Sequence, residues 1–261
     1  MVNLKEFEEK VVIITGAAQG QGEHLAKRFH ECGSKVALMD LNEDAIKNIV
    51  EEVKPADECE FKAYGVNVAD SEAVTKAIDD FGKHWGRVDI LVNNAGVLHK
   101  GMVETSTDDH INLTIDVNLK GPMYCTRAVI PYMKENGGNI SNVSSILGTF
   151  PNTGAGAYGA AKAGLIILTR CWAAELGPYH IRVNCYAPGT IKTPMMDEIF
   201  AQHREESKLQ QIPMREFGDV EDAFKLVTFF CSEQAHYVNG QTIGLDGGIW
   251  ATQTPTAAWK K

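Results

Sequence analysis

The chain alternates short apolar runs with longer amphipathic stretches. Residues 10–16 (KVVIITG) read as a buried strand closed by glycine, and residues 21–32 as a helix that Gly33 terminates. Residues 35–40 (KVALMD) form a second buried run. Residues 42–53 follow as a helix with Asn42 as N-cap and apolar Ala45, Ile46, Ile49, Val50 and Val53 on one face. Strands at 61–68, 88–96, 138–145, 181–189 and 241–248 continue the pattern. Helices at 71–84 (capped by Ser71), 107 to about 134, 157–176 and 219–231 lie between them. Pro122 and Pro131 interrupt the long span that starts at 107. Strands separated by helices of this length predict an α/β fold: a parallel sheet covered on both faces.

Composition narrows the class. The 261 residues suit one domain with a substantial core. No apolar run is long enough to span a bilayer, and MVNLKEFEEK lacks the features of a signal peptide, so a cytoplasmic location is expected. A formal charge of −9 argues against binding nucleic acid. The six cysteines form no CxxC pair and the eight histidines show no ligand spacing, so free thiols and no metal are expected. Residues 190–218 break the alternation and read as a lid; residues 251–261 read as a surface extension.

Candidate chemistry starts in the first turn. TGAAQGQG at 15–22 joins the first strand to the first helix, and Gly16, Gly20 and Gly22 let backbone approach a pyrophosphate at the helix N-terminus. Asp40 ends the second strand, where a carboxylate accepts from a ribose 2′-hydroxyl and repels a 2′-phosphate. Leu41, Asn42, Gln19 and Gln21 supply no cation there, so NAD is favoured over NADP. Tyr158 and Lys162 stand four residues apart on one helix face, a phenol beside an ammonium.

These pieces, with NNAG at 93–96, Asn118 in NLKG, NVSS at 142–145, YGAAK at 158–162 and PGTIKT at 188–193, resemble the short-chain dehydrogenase/reductase family in order and spacing. The resemblance runs from Lys10 to Gly248. It implies a Rossmann-like, doubly wound, seven-stranded parallel sheet in a single domain, a bound nicotinamide cofactor and a homotetramer. It implies Tyr158 as the acid/base, Lys162 as the charge that favours the phenolate, Ser145 on the substrate oxygen and Asn118 holding a relay water. Ser144 is left as a structural neighbour. Asn94, Ala95 and Gly96 are implied to line the adenosine ribose, Asn67 and Val68 the adenine, and Pro188, Gly189, Ile191 and Thr193 the carboxamide end of the cofactor. Asn67 replaces the family's usual aspartate, and Gln21 its usual aliphatic residue.

The expectation is an NAD-linked oxidoreductase interconverting a secondary alcohol and a ketone. Met195, Met196, Ile199, Phe200 and Met214 in the lid point to a bulky apolar or alicyclic substrate such as a hydroxysteroid. The alternatives are a 3-oxoacyl carrier-protein reductase, which would want NADPH and a basic rim, and a sugar or polyol dehydrogenase. A non-catalytic NAD-binding sensor would be expected to lack Tyr158, Lys162 or Ser145, and all three are present.

Overall fold

A computed structural model describes residues 2–53, 61–196 and 204–259. Seven strands form one sheet: β1 (Val11–Thr15), β2 (Lys35–Asp40), β3 (Phe61–Gly65), β4 (Ile90–Asn93), β5 (Gly138–Val143), β6 (Ile181–Pro188) and β7 (Thr242–Leu245). Every pairing is parallel, in the order β3-β2-β1-β4-β5-β6-β7. The order reverses between β1 and β4, and the crevice beyond the carboxyl ends of those strands is where a doubly wound sheet binds its ligand.

Both faces of the sheet are covered, because successive strand residues point to opposite sides. Val11 and Ile13 enter one apolar core with Met39, Phe81, Leu91 and Val129. Val12 and Ile14 enter the other with Phe29, Leu38, Phe224 and Val227. The covering helices are α1 (Gly20–Glu31), α2 (Glu43–Val53), α3 (Ser71–Trp85), α4 (Asp108–Ile115), α5 (Gly121–Met133), α6 (Gly156–Leu176) and α8 (Val220–Cys231). A short α7 (Glu205–Leu209) sits in the segment read as a lid. Among the described residues no helix is long and apolar enough to cross a membrane. Cys32, Cys125, Cys171, Cys185 and Cys231 are free thiols. Cys59, like Ile199 and Phe200, lies outside the described residues.

Several local expectations are corrected. The third strand ends at Gly65 rather than residue 68, and the fourth spans four residues rather than nine. Apolar residues continue past both ends, but the sheet register does not. Asp70, not Ser71, caps α3, its carboxylate accepting from the Glu72 and Ala73 amides. Asn42 does cap α2, through the Ala45 amide at 3.1 Å. The two prolines do not break the long helical span that starts near residue 107. A π-helical turn at Asp116–Lys120 joins α4 to α5, with Pro122 in the first turn beyond it. Such turns are rare in helices and gather at functional sites; this one contains Asn118.

Candidate active site

The phosphate loop is shaped by backbone. Gly16 has φ +64°, and a Cβ there would stand 2.7 Å from the Ala95 Cα. A Cβ on Gly22 would meet the Gly16 carbonyl oxygen at 2.0 Å. Gly20, at φ +61°, faces Thr193. Gln19 precedes α1 without capping it by its side chain. The first amides of α1 therefore keep their hydrogen-bonding capacity for an anion. This cradle fits the pyrophosphate of a dinucleotide.

Around it, side chains fix backbone. The Asp40 carboxylate accepts from the Ala18 amide at 3.0 Å and the Asn42 amide at 2.9 Å. It ties the loop to the end of β2, with Leu41 exposed beside it. The Asn94 amide donates to the Thr15 and Gly16 carbonyls at 3.0 and 2.9 Å. The Thr15 hydroxyl accepts from the Asn94 and Ala95 amides, each at 3.0 Å. NNAG is thus bound to β1, and the Asn94 side chain is engaged with the loop's own backbone.

Gln21 also has a partner in the fold. Its Oε1 accepts from the hydroxyl of Tyr186, a fully buried residue of β6, at 3.1 Å. Neither Tyr186 nor Thr15 stands out in the sequence; a tyrosine inside a buried strand was the available signal, because a buried hydroxyl needs a partner. Asn67 is exposed, with Oδ1 accepting from Ala69, while Val68 is buried where a Cβ on Gly121 would touch it. Gly189 donates to the Leu245 carbonyl at 2.9 Å, continuing the register in which Pro188 faces Leu245. Ile191 is buried and bridges to Gly218.

The four residues of the expected catalytic set converge beyond the carboxyl ends of β4 and β5. Tyr158 and Lys162 project from α6 and are 8% and 3% exposed. Ser145, just after β5, is 7% exposed, and its Oγ accepts from the Leu147 amide. Burial raises the Tyr158 pKa above the usual tyrosine value, and the nearby Ser145 hydroxyl draws it back down. Burial lowers Lys162 to about 8, countered by Cys185. The Lys162 ammonium lies 5.7 Å from the Tyr158 ring centroid and donates to the Val143 carbonyl at 2.8 Å. Burial, not a neighbouring charge, thus dominates both groups, so the lowering of the Tyr158 pKa expected from Lys162 is not seen here.

Ser144 is structural, as expected: its hydroxyl donates to the Lys162 carbonyl at 2.9 Å. Asn118 is fully buried. Its Oδ1 accepts from the Val97 amide, and its Nδ2 donates to the Val97 and Thr114 carbonyls. The side chain is therefore consumed in anchoring the loop that leaves NNAG. Pro122 has no N–H to offer the Asn118 carbonyl four residues back, so that carbonyl stands outside the α-helical ladder.

The sequence family model described as enoyl-(acyl carrier protein) reductase matches residues 16–250. The chain belongs to the short-chain dehydrogenase/reductase family. This family member is 37% identical to the 3-oxoacyl-[acyl-carrier-protein] reductase FabG of Thermotoga maritima, over 93% of this chain and 98% of that protein. It is 34% identical to trans-4-hydroxycyclohexanecarboxylate dehydrogenase of Sinomonas cyclohexanicum, over 92% of each. A short-chain type dehydrogenase/reductase from Mycobacterium marinum has a similar structure, with a TM-score of 0.88 at 26% identity, covering 95% of this chain and 98% of that one. The chain is thus an oxidoreductase of a family acting on alcohols and ketones.

Proposed function

We propose that this protein is an NAD(H)-dependent oxidoreductase that interconverts a secondary alcohol and a ketone, with an alicyclic substrate. The observation that carries the reading is the meeting of Ser145, Tyr158 and Lys162, buried together, beside a glycine loop shaped for a pyrophosphate. The bound nicotinamide would supply or accept the hydride. Gly16, Gly20 and Gly22 would admit its pyrophosphate, Asp40 its adenosine ribose, and Ile191 and Thr193 its carboxamide. The backbones of Asn94, Ala95 and Gly96 would floor the site, and Asn67 would meet the adenine edge.

The protein's own part is to place and move a proton. Tyr158, kept as a phenol by burial, donates its proton from Oη to the carbonyl oxygen of a ketone. Ser145 donates a hydrogen bond to the same oxygen and stabilises the charge that develops there. The Lys162 ammonium would pass a replacement proton toward the phenol, and the main-chain carbonyl of Asn118 would accept from the water that resupplies it. This assigns the relay role at Asn118 to its backbone, since its side chain is already engaged. In alcohol oxidation the same groups work in reverse.

Asp40 supports NAD, because a carboxylate already turned toward the loop amides would repel a 2′-phosphate. The lid, residues 190–218, supports an apolar substrate: Met195 and Met214 are 56% and 61% exposed. The dehydrogenase relative named for a hydroxylated cyclohexane ring favours an alicyclic substrate, of which a hydroxysteroid is one example. The acyl carrier protein reductase relatives favour a second reading, a 3-oxoacyl thioester reductase. Exposed Ile111, Leu113, Met123 and Ile167 along α4, α5 and α6 support self-association, for which we propose a homotetramer; the location proposed is the cytoplasm.

The test follows the absorbance of reduced nicotinamide. NAD+ and NADP+ are offered with alicyclic alcohols, hydroxysteroids, polyols and 3-hydroxyacyl thioesters, with Tyr158→Phe alongside. Turnover of an alicyclic alcohol with NAD+, lowered about 10²- to 10⁴-fold in the variant, is expected. Preference for NADP+ and the thioester would replace this reading with the second. Full activity in Tyr158→Phe would overturn both.

A further inference from the structure

A buried tyrosine hydroxyl has to be paired, and the partner it finds constrains that partner in turn. Tyr186 lies on β6, fully buried, in the core that also holds Ile14, Leu25 and Phe224. Burial raises its pKa above the usual tyrosine value and so keeps the phenol protonated. A neutral phenol in an apolar core needs an acceptor for its proton. The Gln21 Oε1 is that acceptor, at 3.1 Å. With Oε1 taken by a donor, the orientation of the Gln21 amide is set, and Nε2 keeps its two N–H donors. Among the described residues Nε2 has no hydrogen-bond partner.

Gln21 sits where such a donor can be used. It is half-buried in the first turn of α1, between Gly20 and Gly22 of the phosphate loop. Two contacts join this turn to the β6 side of the crevice. One is the hydrogen bond to Tyr186, which lies just before Pro188 and the PGTIKT turn. The other is at Gly20, where a Cβ would stand 3.4 Å from the Thr193 side chain. The Tyr186 carbonyl in turn accepts from the Ser144 amide at 2.8 Å, beside Ser145. The sheet order sets the direction of this reach. β2, which ends in Asp40, lies on one side of β1, and β4, β5 and β6 lie on the other. A side chain of the phosphate loop that reaches β6 therefore leans away from the adenosine end of the site.

We propose that Gln21, oriented by Tyr186, is a cofactor-recognition residue whose Nε2 donates to the ribose phosphate on the nicotinamide side of the dinucleotide. The inference rests on the cofactor reading of this site. Tyr186 touches no cofactor and is a positioning residue, acting only through the amide it holds. The arrangement has a polarity: an amide donates to the phosphate, an aliphatic side chain offers nothing, and a carboxylate repels it.

The experiment is fluorescence titration of the full chain with NADH, beside calorimetric titration with AMP, which carries the adenosine half alone. Gln21→Leu is expected to weaken NADH about tenfold, the size of one hydrogen bond to a charged group, and to leave AMP unchanged. Gln21→Glu keeps an acceptor for the Tyr186 hydroxyl at the same side-chain length, so the fold is retained, and it is expected to lose more NADH affinity than Gln21→Leu. Tyr186→Phe is expected to weaken NADH severalfold, and to have no further effect in the Gln21→Leu background. Wild-type NADH affinity in both Gln21 variants, or equal losses for AMP and NADH, would overturn the contact. A Tyr186→Phe variant that is less stable in urea yet binds NADH as the wild type does would remove the positioning role. The catalytic reading fails separately, through turnover. Turnover with NADH binding that ignores Gln21 keeps that reading and sinks this one. Gln21-dependent NADH binding without turnover of any alcohol or ketone does the reverse.

Discussion

The phosphate-loop side of the crevice and the lid side are built by different means. On the loop side, backbone sets the shape: two glycines at positive φ, Gly22 against the Gly16 carbonyl, and side chains of Thr15, Asp40 and Asn94 bound to main-chain atoms. On the lid side the surface consists of side chains. Met195 and Met214 are exposed. The described part of the lid is held by the bridge of Ile191 to Gly218, by Met214 donating to Gly247, and by the C-terminal Trp259, whose indole donates to the Pro213 carbonyl. Trp259 also receives the Arg215 guanidinium over its ring at 5.5 Å. A backbone cradle accepts one chemical class and tolerates little change. A side-chain surface can be rebuilt residue by residue without disturbing the sheet. The common cofactor and the variable substrate of such an enzyme follow from that division.

The proposed catalytic pair on α6 belongs to the rigid side, and Lys162→Met tests this most strongly. Activity should fall about 10²- to 10⁴-fold. Stability should rise, because the folded protein lowers Lys162 from 10.5 to about 8. Between those values the unfolded chain holds the extra proton, so wild-type stability climbs with pH across that window and carries the full penalty below it. At about 1.4 kcal/mol per pKa unit, the variant's gain at neutral pH is on the order of 3 kcal/mol before the lost hydrogen bond to Val143 is counted, and it shrinks toward pH 10. Urea denaturation at several pH values measures it; a destabilised variant at neutral pH would contradict the burial argument.

Gly22→Ala comes next. Its Cβ has nowhere to go short of moving the loop, so a cost of about 1–3 kcal/mol and weakened NADH binding are expected. Unchanged NADH affinity by fluorescence titration would mean the cradle is softer than its geometry implies. Tyr186→Phe leaves the Gln21 amide oxygen without its donor, at about 1 kcal/mol of stability. Its effect should appear in NADH affinity more than in kcat, since Gln21 lies in the first turn of α1. The smallest effect belongs to the lid side. Trp259→Ala should shift global stability by about 0.5 kcal/mol or less. It should change the KM for substrate while leaving the NADH dissociation constant alone, and the reverse pattern would erase the distinction between the two sides.

Much of the site is written in local sequence. The loop glycines, Asp40, and the Tyr158–Lys162 spacing each follow from short-range geometry, and the structure brings them to one crevice. What was not legible is where side-chain hydrogen bonds go. Position points Gln21 and Asn94 toward the cofactor; the structure adds that Gln21 reaches across to Tyr186 and Asn94 to the neighbouring strand. Asn118 was assigned a water, yet its amide is spent on Val97 and Thr114. Each partnership joins segments that the sequence keeps apart, and periodicity carries no information about them.

By itself, the sequence determined the alternation of strand and helix, the two-sided burial of β1 and β2, and the glycine turn at the first strand's end, because hydrophobic period and φ > 0 are local properties. Tertiary structure alone decided where strands stop, since a strand ends where its neighbour's register ends, as β4 does at Asn93. It also decided that Pro122 would stand just beyond a π-turn rather than end a helix. Those outcomes depend on which surfaces meet, and only the assembled sheet with its packed helices settles that.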